Sequence, residues 1–405
     1  MAQQHSESIT LGLLAGEASG DLLGAGMMEA LKQQYPGHIR FLGVGGPRMV
    51  AQGLECLADM DGLSVNGFKD PILRLPALLR LNRELATAFV DAGVDAFVGI
   101  DFNVFNFLLE RRLKRKGIAT AHYVSPSVYA WRRGRTKKVA RCADKIFCLF
   151  PFEPRYYQNL PVDARFVGHP LAQEITPQTG SQAAQTQARN SLGLDGQATT
   201  LALLPGSRAS EVSLMLLPML KAAEQLAEHL QSQGKKLEVV IPCVNQGRLQ
   251  QIEDICRTRS QLPVHCLLGD ARQGLVACDV ALVKSGTSTL ETMLVGRPMV
   301  VTYRLNYPTF WIVRALVSTS HIAIPNILAG RELVPELIQS AATPEAMCKA
   351  LLAQLTISDQ GPPGASLYAE IHAELAAGES GQGANVSAAL GVLDLVQENA
   401  SGNGR

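Results

Sequence analysis

At 405 residues the chain exceeds what one hydrophobic core usually organises, so two domains of roughly 150 to 200 residues each are expected. Hydrophobic residues at 47% and charged residues at 18% describe a globular, slightly charge-poor chain with room for exposed apolar surface. A formal net charge of +1 supplies no global field for nucleic acid, which is set aside as a partner; attraction to an anion must come from local clusters.

The polar lead over residues 1–8 lacks the cationic segment, apolar stretch and cleavage site of a signal peptide. No window reaches the roughly 18 uninterrupted apolar residues of a spanning helix. Eight cysteines are scattered without a C-x-x-C pair, several inside apolar runs, and read as reduced core residues. Together these features point to a cytoplasmic chain with neither structural zinc nor disulfides.

Short apolar runs alternate with helix-length segments from Ile9 onward: ITLGLL, IRFLGV, DAFVGI, IATAHYV, KIFCLF and ARFVG. That alternation predicts parallel strands joined by crossover helices. A Gln-, Ala- and Thr-rich interval over 173–197 reads as a polar linker, after which TTLALLPG, KLEVVIP, VHCLLGD, DVALVKSG and RPMVVTYR restart the pattern. The expected fold is therefore α/β, with two doubly wound, Rossmann-like domains over 1–172 and 198–365 and C-terminal helices and a tail over 366–405. Ligands of such sheets bind beyond the carboxyl ends of the strands, so a cleft between two facing domains is the expected active site.

In chain order, LGLLAGEASGD brings Gly16, Ser19, Gly20 and Asp21 to the first strand-to-helix turn. The spacing does not match the dinucleotide fingerprint. Ser19 and Asp21 read either as a helix cap and a first-turn acid or as acceptor-binding groups. Over 63–89, bulky Phe68, Ile72, Leu75, Leu78 and Leu79 are interleaved with Lys69, Arg74, Arg80 and Arg83. This describes an interfacial helix with a membrane-facing side or, equally on periodicity, a buried amphipathic one. The strand DAFVGI ends at Asp101, where a carboxylate can take the proton of an attacking sugar hydroxyl or merely cap the next helix. His122 and Ser125, in AHYVSPSVYAWRRGR, end the next strand on the same edge, and a basic cluster (Arg132, Arg133, Arg135, Lys137, Lys138, Arg141) follows.

The second half holds two turns of the anion-binding type. Pro205-Gly206-Ser207-Arg208 links a strand to a helix, offering close backbone approach, N–H groups and a planar cation. Ser285-Gly286-Thr287-Ser288 opens another helix, with Glu291 at capping-box distance from Ser288. Two such turns in one half, with no Walker lysine after either, favour a nucleotide diphosphate there, Glu291 reaching ribose hydroxyls. No Asp-x-Asp pair or His/Cys cluster accompanies them, so neither a metal nor another cofactor is expected.

Together AGEASGD, GVGGPRM, FVGID, HYVSPSVYAWR, FVGHPL, LLPGSRASEV, SGTSTLE, PMVVTYR and PNILAGRELVPEL resemble the lipid-A-disaccharide synthase family over residues 11–337. The resemblance implies a B-type glycosyltransferase fold and an inverting reaction. In it, UDP-2,3-diacylglucosamine glycosylates the 6-hydroxyl of 2,3-diacylglucosamine 1-phosphate at the inner face of the bacterial inner membrane. Carried onto this sequence, the resemblance makes Asp101 the base and places Arg208, Glu291, Asn326 and Glu332 near UDP. The family commonly writes GIDAPDFN; this chain has Val104 where the second Asp usually stands, which leaves Asp101 as the candidate in this motif. The sequence does not set oligomeric state, and a homodimer is compatible with it. Competing readings are another UDP-sugar glycosyltransferase, a UDP-sugar epimerase of the same fold, or a non-catalytic nucleotide-binding peripheral membrane protein.

Overall fold

The computed structural model describes residues 8–60, 63, 71–126, 136–305, 320–358 and 365–402. The chain forms two compact units, residues 1–170 with 374–405 and residues 171–373.

In the first unit seven parallel strands take the order β3-β2-β1-β4-β5-β6-β7. They are β1 (Ile9–Ala15), β2 (Ile39–Val44), β3 (Leu54–Cys56), β4 (Ala96–Ile100), β5 (Ala119–Tyr123), β6 (Lys145–Cys148) and β7 (Asp163–Phe166). Sheets covered on both faces need strands that are apolar throughout, which is why β4 (AFVGI) is buried at all five positions. Helices α1 (Ala18–Gln34), α2 (Pro47–Ala51), α3 (Pro71–Asp91), α4 (Asn103–Lys114) and α5 (Thr136–Val139) follow their strands. The six strand runs read from the sequence of this half are all present; β3, three residues at a sheet edge, was too short to carry a pattern.

The second unit holds six parallel strands in the order β10-β9-β8-β11-β12-β13. These are β8 (Thr199–Leu204), β9 (Leu237–Cys243), β10 (Val264–Leu268), β11 (Val280–Lys284), β12 (Met299–Tyr303) and the three-residue edge β13 (Glu336–Ile338). Their helices are α6 (Pro170–Glu174), α7 (Gln182–Leu192), α8 (Ala209–Ser232), α9 (Gln246–Arg259), α10 (Ala271–Ala277), α11 (Thr287–Val295), α12 (Ile324–Ala329) and α13 (Pro344–Ser358). One face of α8 (Val212, Met215, Leu216, Met219, Leu220) packs with Leu201, Val239, Val280 and Leu282 to form the core.

Two expectations need correction here. Residues 173–197 are no linker: Ser181 Oγ caps α7, Gly193 ends it in the left-handed conformation, and Gln185 and Arg189 donate to the Cys278 and Ala277 carbonyls. Polar composition reflected a helix whose long side chains bond a neighbouring loop. The C-terminal stretch is likewise not a unit of its own. The chain returns through α14 (Ala365–Ala377), and α15 (Ala384–Gly402) packs on α1 in the first unit. There Lys145 meets Glu398 at 2.8 Å and Arg165 meets Asp394 at 2.7 Å.

No helix among the described residues is long and apolar enough to cross a membrane. On α3, Leu85 and Phe89 are buried in the core and Leu78 packs against it, whereas Leu75 is 54% exposed and Arg80 and Arg83 point outward. Leu79 is half-buried. Phe68 and Lys69 lie outside the described residues, as do the side chains of Ile72 and Arg74. The helix is thus amphipathic in a mixed sense, and Leu78 belongs to the core rather than to an outward ridge. Replacing Leu78 by Ser is expected to cost roughly 1 to 3 kcal/mol of stability, while Leu75→Ser leaves the denaturant midpoint unchanged. Equal midpoints for the two variants would contradict this packing.

Candidate active site

In the first sheet the strand order reverses between β1 and β4, and the crevice beyond their carboxyl ends is where doubly wound sheets hold ligands. Asp101 follows β4 there. It and Phe102 both adopt the left-handed conformation (φ 51° and 45°), which costs a non-glycine residue energy unless its surroundings impose it. They do so from three sides. Asp101 N donates to Tyr123 O at 2.8 Å, and Asn106 Nδ2 reaches Asp101 O at 2.9 Å. The Phe102 ring occupies the space that a Cβ on Gly16 would need.

Helix α4 begins after Phe102 with no side-chain cap, so the Asp101 carboxylate is not consumed as one. Half-buried, it accepts a hydrogen bond from Ser19 Oγ at 3.3 Å. Ser19 is exposed and stands beside the carboxylate in the first turn of α1.

The other predicted groups of this unit face inward. Asp21 is 3% exposed, and its carboxylate accepts from the backbone N–H groups of Gly46, Arg48 and Met49 at 2.9 to 3.1 Å. Its oxygens are spent inside the protein on the start of α2, not on a substrate; AGEASGD and GVGGPRM are two halves of one anchor. His122 is fully buried, Nδ1 at 2.6 Å from Glu110 Oε1 and Nε2 at 3.3 Å from Asn103 Oδ1. Burial pushes the Glu110 carboxyl up against the opposing pull of His122. His122 thus braces residue 103 of the Asp101 turn from below. Ser125 is also buried, its hydroxyl 2.9 Å from Tyr157 Oη, which takes it out of acceptor contact. Arg132, Arg133 and Arg135 lie outside the described residues.

In the second unit the order reverses between β8 and β11, and a cavity of about 330 Å³ lies at those strand ends. Gly206, Ser207, Arg208, Ser285, Gly286, Thr287 and Ser288 all line it. Gly206 has φ +118°, and a Cβ there would strike the Glu211 carboxylate. Glu211 is the group that sequence reasoning missed. Its Oε2 accepts from Ser207 N and Arg208 N at 3.1 and 3.3 Å, and Lys284 Nζ donates to its Oε1 at 3.1 Å. Burial would raise this carboxyl, but Lys284 and the Arg208 backbone and guanidinium hold it below its ordinary value.

The N–H groups expected to be free at the first turn are therefore occupied by Glu211. The Arg208 side chain is 81% exposed, and no side chain caps α11, so Ser288 and Glu291 form no capping box. A cavity lined by that uncapped helix start, Lys284 and Arg208 can take an anion. Lys284, 4.9 Å from the Tyr303 ring centre, was legible as a cation ending a strand at the switch point.

Three predicted UDP contacts lie outside that cavity lining. Glu291 sits one turn into α11; burial raises its carboxyl, with Arg272 opposing and Glu174 adding to the shift. Glu332 is exposed. Asn326 is fully buried and saturated: Nδ2 donates to Val334 O and Glu336 Oε1, and Oδ1 accepts from Leu333 N and Val334 N. It staples α12 to the strand that follows and has no bonding capacity left for a nucleotide. Among the described residues no group of three or more His, Cys, Asp or Glu is arranged to hold a metal.

The family model described as lipid-A-disaccharide synthetase matches residues 11–375. A lipid-A-disaccharide synthase of Sodalis glossinidius is 45% identical over 383 residues, covering 94% of this chain and 98% of that one. Its counterpart in Pseudomonas aeruginosa is 43% identical over 392 residues, covering 97% and 99%. Among solved structures, a UDP-forming trehalose-phosphate synthase of Burkholderia vietnamiensis superposes with a TM-score of 0.60 at 13% identity, covering 99% of both chains, which marks a shared fold.

Beside Ser125, burial pushes the Glu153 carboxyl up to about 8, against hydrogen bonds from the Phe150 and Leu149 N–H groups and Ser125. A raised carboxyl contributes stability that is intact below its unfolded value of 4.5 and is lost as pH climbs through about 8. The melting temperature of the wild type relative to Glu153→Gln is accordingly expected to fall between pH 5 and pH 9. A constant difference would show that Glu153 is ionised in the folded protein throughout.

Proposed function

The chain belongs to the lipid-A-disaccharide synthetase family and is a glycosyltransferase, and we propose how its two switch-point sites divide the reaction. The donor, a UDP-diacylglucosamine, is held by the second unit: its diphosphate on the N–H groups that open α11, with Arg208 and Lys284 as counter-charges. The acceptor, a diacylglucosamine 1-phosphate, is held by the first unit with its 6-hydroxyl at Asp101. Asp101 removes that proton as the oxygen attacks the anomeric carbon from the face opposite UDP, inverting it. UDP departs with its developing charge stabilised by fixed cations and backbone dipoles.

The observation that carries this reading is the Asp101 carboxylate. It stands half-exposed at the β1/β4 switch point, on a turn held in the left-handed conformation, and engages only the Ser19 hydroxyl among described side chains. Ser19 steers the carboxylate and meets the acceptor; His122 supports the turn through Asn103. Glu291, one turn into α11 beyond the cavity lining, reaches the ribose, with Glu332 near UDP. Both substrates carry acyl chains, which supports peripheral action on the cytoplasmic membrane face, with exposed Leu75 and outward Arg80 and Arg83 on α3 meeting anionic headgroups.

Asp101→Asn is expected to lower kcat by about 100-fold or more while leaving UDP affinity and melting temperature unchanged. Wild-type turnover in that variant would remove Asp101 from the chemistry. Because Arg208, Lys284 and the start of α11 can carry the diphosphate charge, UDP release should also persist in EDTA; loss of turnover restored by magnesium or manganese would overturn that division of labour.

A further inference from the structure

Beyond these sites, the outer stripe of α4 borders a groove with no role so far. Val104, Phe107, Leu108 and Arg111 stand at helical spacings of three and four, and so share one face. Together with Lys138 and Val139 of α5 and with Arg141 and Cys142, they line a groove of about 510 Å³. That volume falls within the roughly 300 to 1,000 Å³ typical of small-molecule sites. Its walls are hydrocarbon, and Val104 at one end is 80% exposed, more than any other large apolar side chain among the described residues. The rim is cationic: Arg111, Lys138 and Arg141 are exposed and form no ion pair among the described residues.

An apolar trough with an unneutralised cationic rim suits an amphiphile that has an acyl chain and an anionic group, with Arg supplying planar donors for a phosphate. Its position narrows the occupant further. Val104 follows Asp101 by three residues, a reach of at most about 11 Å, so one long amphiphile can present a hydroxyl to Asp101 and lay an acyl chain along the groove.

We propose that the groove along α4 and α5 seats an acyl chain of the acceptor lipid, with Arg111, Lys138 and Arg141 meeting its phosphate, rather than a bulk phospholipid of the membrane. The proposal rests on Asp101 being the base for that acceptor. It gives this chain a specificity surface in which Val104 sets the apolar mouth.

The test uses the full-length enzyme and two variants at exposed positions, Val104→Glu and the double variant Arg111→Gln/Lys138→Gln, each checked for an unchanged melting temperature. In mixed micelles of neutral detergent, the KM for diacylglucosamine 1-phosphate is expected to rise about tenfold in each, without a matching rise in the KM for the UDP-sugar. With an acceptor of truncated acyl chains, Val104→Glu and wild type should converge. Unchanged acceptor KM in both variants overturns the proposal, and so does a loss confined to binding of anionic phospholipid vesicles, which would assign the groove to the bilayer. Equilibrium binding of the same phosphorylated lipid needs no turnover and separates the two readings. Tenfold weaker binding by Val104→Glu, together with wild-type turnover in Asp101→Asn, would sink the role of Asp101 and leave the groove standing. Equal binding would sink the groove whatever the turnover.

Discussion

At the switch point between β1 and β4, one buried amide gathers carbonyls of both strands and of the turn that leaves β4. Asn106 Nδ2 lies 3.3 Å from Leu14 O, 3.4 Å from Ile100 O and 2.9 Å from Asp101 O. Buried carbonyls must find donors, so this one side chain from the first turns of α4 determines how the chain leaves β4. With the Asp101 N–H bond to Tyr123 O and the Phe102 ring against Gly16, it holds the left-handed turn at Asp101 and Phe102 from which α4 departs. The orientation of the carboxylate and the groove on α4's outer stripe are downstream of that clamp.

A second regularity runs through both units. Turns and helix starts with exposed backbone donors are often satisfied by the protein's own carboxyl groups: Asp21 at the start of α2, Glu153 on the Phe150 N–H, Glu211 at Ser207 and Arg208, and Glu336 on the Ile322 and Ala323 N–H groups. Each spends carboxyl oxygens on backbone donors that an anion would otherwise meet, and Glu211, held below its ordinary value by Lys284, also supplies the negative charge. The start of α11 differs: no carboxylate among the described residues bonds its N–H groups, and it lines the cavity with Lys284 and Arg208. That contrast, rather than glycine content, separates the turn suited to a diphosphate from turns that merely look like one.

The strand grammar was legible in advance because a parallel sheet buried on both faces demands continuous apolar runs, which stand out against amphipathic helices. The edges β3 and β13 escaped because three residues carry no period. Polar composition misled over 173–197 for the converse reason. Gln185 and Arg189 look like solvated surface in sequence, yet their donors are spent on carbonyls some ninety residues away.

What the sequence determined by itself is the set of strand-to-helix turns and their chemistry: Asp101 ending a strand, the Gly206 and Gly286 turns, and the family motifs that span most of the chain. These are local features, set by residues adjacent along the backbone. Only the tertiary structure decided which polar side chains remain available. Asp21 and Ser125 were indistinguishable from ligand-binding groups until partners on other elements were seen to bond them, Asn326 until the segment 7 to 10 residues on was seen to do so, and Glu211 joined the cavity through its bond to Lys284. A side chain's bonding capacity is finite, and how it is spent depends on neighbours that folding brings together.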